Sequence, residues 1–172
     1  MKVFKNFIVL IMLVFCCFAV LFSCGEKESG INEVNEINID LQDLLKVIGD
    51  RIDLSDTIEY ADMILNETGI TNFTRIAVLK EMDVLSAEVL ILIEANDKTA
   101  AKEIGDKLKV YKTNKLNELR DYDLNPDNER QYYIVEDSEI MIEQKYVFFA
   151  INTQSKEIND IIKDYIKNNK AK

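Results

Sequence analysis

The sequence predicts an α+β fold: a single domain with a mainly antiparallel sheet and helices packed on one face, in the order α-α-β-β-α-β-β-β-α. Three observations carry this. Val89-Leu90-Ile91-Leu92-Ile93 and Tyr146-Val147-Phe148-Phe149-Ala150-Ile151 are apolar throughout, as central strands are. Other stretches repeat apolar residues at helical spacing, which marks amphipathic helices. The links between successive strands are short, so neighbouring strands pair antiparallel, and the helices must cover the sheet.

Asp40 caps the first helix, whose stripe is Leu41, Leu44, Leu45, Ile48 and Ile52. A second helix runs from about Ser55 to Thr68 and stops at Gly69, a residue free to take the left-handed conformation that ends helices. Phe73 to Lys80 and Ala87 to Glu94 are strands. Asp97 caps the longest helix, to about Arg120, with Ala101, Ile104, Leu108, Tyr111, Leu119 and Tyr122 on its stripe and Lys115 interrupting it. Asp121 to Arg130 is a polar loop around Pro126. Tyr132 to Val135 is a short strand, Glu139 to Glu143 another, and Tyr146 to Ile151 the last. Ser155 caps the final helix, where Ile158, Ile161, Ile162, Tyr165 and Ile166 keep an i, i+3, i+4, i+7, i+8 face. The domain spans residues 39–168, and 169–172 form a frayed tail. One echo recurs: Lys102-Glu103-Ile104, Asp106, Lys109 and Tyr111 match Lys156-Glu157-Ile158, Asp160, Lys163 and Tyr165. A shared Lys, Glu and Ile vocabulary in two amphipathic helices accounts for it, and a duplicated β-β-α unit is the alternative.

Ahead of the domain lies an address. Met1 to Lys5 is basic, Phe7 to Phe22 is uncharged and apolar, and Leu21-Phe22-Ser23-Cys24 closes the run. Residues 1–23 read as a lipoprotein signal peptide. Ser23 is the small residue needed before the cut, and the Cys24 thiol is then free to carry diacylglycerol. Phe22 is bulkier than the pattern prefers. An uncleaved membrane anchor and plain secretion are the competing readings. All three place the domain outside the cytoplasm, and a two-chain lipid holds it stably at the membrane. Residues 24–38 read as a polar spacer between lipid and domain.

Composition narrows the chemistry. The formal charge is −10, with 31 acidic and 21 basic residues. Lys2 and Lys5 leave with the signal, so the mature chain is more acidic still. No nucleic acid partner is expected, because like charges repel. Histidine is absent, which excludes Ser-His-Asp and Cys-His relays and His-ligated zinc. Of the three cysteines, Cys16 and Cys17 lie in the signal and Cys24 takes lipid, leaving no thiol for a disulfide or a nucleophile. The five glycines do not cluster into a phosphate-binding loop.

Between about Leu41 and Ile166 the order of features resembles a family of clostridial-type lipoproteins known as a domain of unknown function. The resemblance rests on Gly69-Ile70 after a helix, Ser86-Ala87-Glu88-Val89 opening a strand, the charged helix after Asp97, Tyr122 with Pro126, and Tyr146-Val147-Phe148-Phe149. Gln144 departs from it, standing where the family has Gly in the tight turn before that tyrosine. The loop between Tyr122 and Pro126 is also longer here. The resemblance implies a Gram-positive surface lipoprotein and brings no catalytic residues.

Three constellations bear on chemistry. Asp121, Asp123, Asn125, Asp127 and Glu129 suggest a calcium loop, but the sixth and twelfth positions hold Pro126 and Tyr132 where glycine and glutamate are needed. No metal is therefore assigned, and Asp121, Asp123 and Asp127 are the candidates for a looser divalent-ion site. Glu88 and Glu94 flank a strand roughly 20 Å apart, too far for an acid/base pair. Tyr132 and Tyr133 cannot both point inward from a strand, so one is a candidate for a binding surface. No catalytic residue and no cofactor is expected, only the diacylglycerol modification on Cys24. The sequence thus points to a non-enzymatic, membrane-anchored binding or accessory module for another envelope component, protein or wall polymer. A small-ligand or ion receptor and a carboxylate-based enzyme are the alternatives.

Overall fold

The structure is a computed structural model, and its described residues are 37–121 and 126–170, without the side chains at 121–128 and 170. In chain order the elements are α1 (Leu41–Gly49), β1 (Thr57–Glu59), α2 (Ala61–Thr68), β2 (Phe73–Glu81), β3 (Val89–Ala95), α3 (Lys98–Asp121), α4 (Pro126–Asp137), β4 (Ile140–Glu143), β5 (Tyr146–Ile151) and α5 (Ser155–Lys170). The five strands form one antiparallel sheet in the order β1-β2-β3-β5-β4. The α+β class, the antiparallel sheet and the two apolar central strands are as the sequence predicts.

Alternation along β3 and β5 builds two cores. Val89, Ile91, Ile93, Val147, Phe149 and Ile151 face α2, α3 and α4, and meet Ile64, Ala101, Ile104, Leu108 and Val135. Leu90, Leu92, Tyr146, Phe148 and Ala150 face α1 and α5, and meet Leu44, Ile48, Ile158 and Ile162. Helices therefore lie on both faces of the sheet, not on one. The continuous apolar runs required this, because a strand with no polar face needs cover on each side.

Five local features also differ from expectation. The segment after Ser55 begins with strand β1, whose Ile58 pairs with Lys80, and the helix starts only at Ala61. Tyr132 to Val135 is helical: Ile134 and Val135 bury against α3, and packing overrides the β-propensity of the run. Pro126 opens α4, the first helical position that proline favours, and is not the middle of a loop. Ser155 lies inside the first turn of α5. Helix α5 continues to Lys170, past the expected start of the tail.

The incoming chain is pinned at one end of the sheet. Ile37, assigned to the spacer from sequence, is buried, and its N–H donates to Gln144 Oε1 at 3.1 Å. Ile39 donates to the Tyr146 hydroxyl at 3.0 Å and accepts from Arg75 Nη2 at 2.8 Å. Arg75 Nε also donates to Glu94 at 2.5 Å, and Lys145 Nζ reaches the other Glu94 oxygen at 2.9 Å. The opposite end of the same strands carries the β2–β3 loop, about 17 Å away over the five residues from Glu94 to Val89.

Candidate functional site

At that opposite end, α2, the C-terminal half of α3 and the β2–β3 loop enclose a groove of about 290 Å³. Each wall follows from a local rule. Lys80 stands two residues beyond Val78 along β2 and so projects on the same, α2/α3 side. Tyr60 sits at the start of α2, where its N–H still pairs with Val78 O at 3.1 Å, and its ring lies 5.8 Å below Lys80 Nζ. Tyr111, Lys115, Glu118 and Leu119 stand at i, i+4, i+7 and i+8 on one side of α3.

The loop supplies the rim. Asp83 braces it: Leu85 N–H donates to the Asp83 carboxylate at 2.9 Å and Ser86 N–H to the Asp83 carbonyl at 3.1 Å. Gln131 of α4 accepts from Ala87 N–H at 2.9 Å. This fixed turn leaves Val84 89% and Leu85 80% exposed, with Met82 exposed beside them. Large apolar side chains are thus held in water by an ordered turn.

The charges in the groove are unevenly matched. Lys115 lies between Glu67 at 3.7 Å and Glu118 at 3.0 Å. Burial alone would lower its pKa, but the bond to Glu118 and the two carboxylate charges hold it above the ordinary lysine value. Lys80 has no ion-pair partner among the described residues; its ammonium donates only to Ser86 O, at 3.0 Å. Burial and the Lys115 charge push it below the ordinary value, against the through-space pull of the Glu81, Glu67 and Asp83 carboxylates. Burial, with the charges of Glu67 and Glu118, raises the Tyr111 phenol, which stays protonated. The groove therefore offers an ammonium with free donor capacity, two tyrosines and apolar walls. Lys80 meets the backbone oxygen of Ser86 and not its hydroxyl, so the two do not form a nucleophile and base.

The residues singled out from sequence lie elsewhere. Leu21, Phe22, Ser23 and Cys24 are outside the described residues, as is Asp123. Asp121 and Asp127 belong to α3 and α4. Among the described residues no three His, Cys, Asp or Glu side chains gather as metal ligands. Tyr132 and Tyr133 are on helix α4 rather than a strand, with rings 5.8 Å apart, edge to face. The Tyr132 hydroxyl lies between Arg120 and Glu136, both at 3.3 Å, and Tyr133 is 51% exposed. Neither lines the groove. Glu94 is held by two cations. Glu88 accepts from Asn152, and burial with the Glu81 charge raises its pKa. It borders a separate acidic cleft of about 130 Å³ with Asp53, Asp56 and Glu81. Lys80 and Tyr60 escaped the sequence reading. Their signal was Met82, Val84 and Leu85, apolar residues around Asp83 where a hairpin loop normally carries polar ones.

A family model described as "Domain of unknown function (DUF4358)" matches residues 65–152, from α2 to just beyond β5. No curated protein and no solved structure matches the chain.

Proposed function

Because the chain belongs to the DUF4358 family, a domain of unknown function, we propose its role from its own groove: it is a non-enzymatic binding module, lipid-anchored through Cys24 on the extracytoplasmic face of the membrane, that docks another envelope component. The lipobox Leu21-Phe22-Ser23-Cys24 and the apolar run before it support the anchor. One observation carries the docking: the braced loop that holds Val84 and Leu85 in water beside the groove. The loop is at the far end of the sheet from Ile37. The clostridial-type surface lipoprotein resemblance belongs to the same reading. A small-ligand receptor is the second reading, favoured by a groove volume at the lower edge of ligand pockets.

The test is in-cell photocrosslinking from position 85, with exposed Asp164 of α5 as the control position. A discrete adduct from position 85 and none from 164 is the expected result. Equal labelling from both positions, or none from either, would overturn the docking surface.

A further inference from the structure

We propose that the groove binds a carboxylate carried on an apolar or aromatic body, with Lys80 as its anion contact. The inference rests on the docking reading above and specifies its chemistry. An acidic protein has ample carboxylate with which to neutralise a half-buried lysine, and does so for Lys115 with Glu67 and Glu118. Lys80, in the same groove, is left with one carbonyl contact to Ser86 and an aromatic face at Tyr60. An ammonium has three donors, so two remain for a ligand. A charge-assisted bond from it to an anion is strong where water is partly excluded. The Lys80 pKa is lowered by desolvation, and a bound anion relieves that cost.

The walls define the rest of the ligand. Val84, Leu85, Ala87 and Leu119 are apolar, and Tyr60 and Tyr111 add ring surface. A volume of about 290 Å³ admits one apolar side chain and its carboxylate, not a long polymer segment. Glu67 and Glu118, already engaged by Lys115, disfavour a multiply charged anion. On the docking reading the occupant is the C-terminal residue of a partner polypeptide.

The test uses the full-length purified protein and two probe sets. One is tripeptides ending in leucine or phenylalanine, as free acids and as C-terminal amides. The other is phenylacetate with its amide. Binding is read by calorimetry and by amide shifts of Tyr60, Ser86 and Ala87. The expected result is binding of acids, with amides weaker by about tenfold or more. Lys80→Met should lose that discrimination and Lys80→Arg retain it. Binding of the peptide acids is the expected outcome, and binding of phenylacetate alone would overturn a chain terminus as the occupant. No acid binding, amides binding equally, or shifts away from the groove in the wild-type protein would overturn the proposal. The shift map needs no variant, so misfolding of Lys80→Met does not obscure the answer. An adduct from position 85 with no acid bound would remove the carboxylate and leave the docking surface. Acid binding with no adduct would keep the site and remove the docking surface.

Discussion

Gln144 is the residue at which local strain and tertiary contact are most directly opposed. Its φ is +53°, a conformation that costs a non-glycine residue about 1 kcal/mol. The family resemblance has Gly there, the residue such a turn favours. What glutamine adds is the Oε1 acceptor for Ile37 N–H, a part-buried bond worth about 0.5–1.5 kcal/mol. The two effects nearly cancel for Gln144→Gly, which urea unfolding should place within about 1 kcal/mol of wild type. Gln144→Ala keeps the strain and loses the bond, so it should be the less stable variant; the reverse order would refute this assignment. Glu94 gives a pH-dependent counterpart. Burial raises its pKa, but the bonds from Lys145 and Arg75 outweigh burial and hold it below the ordinary carboxylate value. A carboxylate lowered in the fold stabilises fully above its unfolded pKa, and that contribution disappears as pH falls through the folded value. Glu94→Gln should therefore cost about 1–3 kcal/mol at pH 7. The gap to wild type should close below about pH 4.5. A gap independent of pH would mean that shape, not charge, matters at this position.

At the scale of elements, legibility followed how completely a signal was local. Asp40 and Asp97 were readable as caps because the capping oxygen needs only the next turn: Asp40 accepts from Gln42 N–H and Asp97 from Thr99 and Ala100 N–H. Gly69 was readable as a helix end for the same reason, and its φ is +60°. Helix α4 was not, because Tyr132 to Val135 has strand composition and becomes helical by packing Ile134 and Val135 on α3. Strand β1 was hidden because its three residues gain their state from pairing with Leu79 to Glu81. The groove was hidden in the same way. Tyr60, Lys80 and Tyr111 are far apart in sequence and carry no motif, and only the fold gathers them.

At the scale of the molecule, the two-sided cover decides the status of the internal echo. Hairpins β2–β3 and β4–β5 share the central β3–β5 pair, and each is followed by one of the echoing helices. A rotation that carries one hairpin onto the other keeps its helix on the same face, yet Ile104 of α3 and Ile158 of α5 belong to opposite cores. The matching residues thus reflect two amphipathic helices, not a symmetric duplication. The pinned segment at Ile37 to Ile39 closes one end of the core. Among the described residues no helix is long and apolar enough to cross a membrane, and the proposed lipid anchor at Cys24 lies outside them. The decisive measurement is fractionation of cells expressing wild type and Cys24→Ser, with intact mass of the purified protein and circular dichroism of both. The expected wild type is membrane-bound and begins at a diacylglyceryl-modified Cys24, while Cys24→Ser leaves the membrane fraction still folded. An unmodified wild-type Cys24, or a Cys24→Ser protein that stays on the membrane or unfolds, would contradict a lipid-anchored, independently folded binding domain.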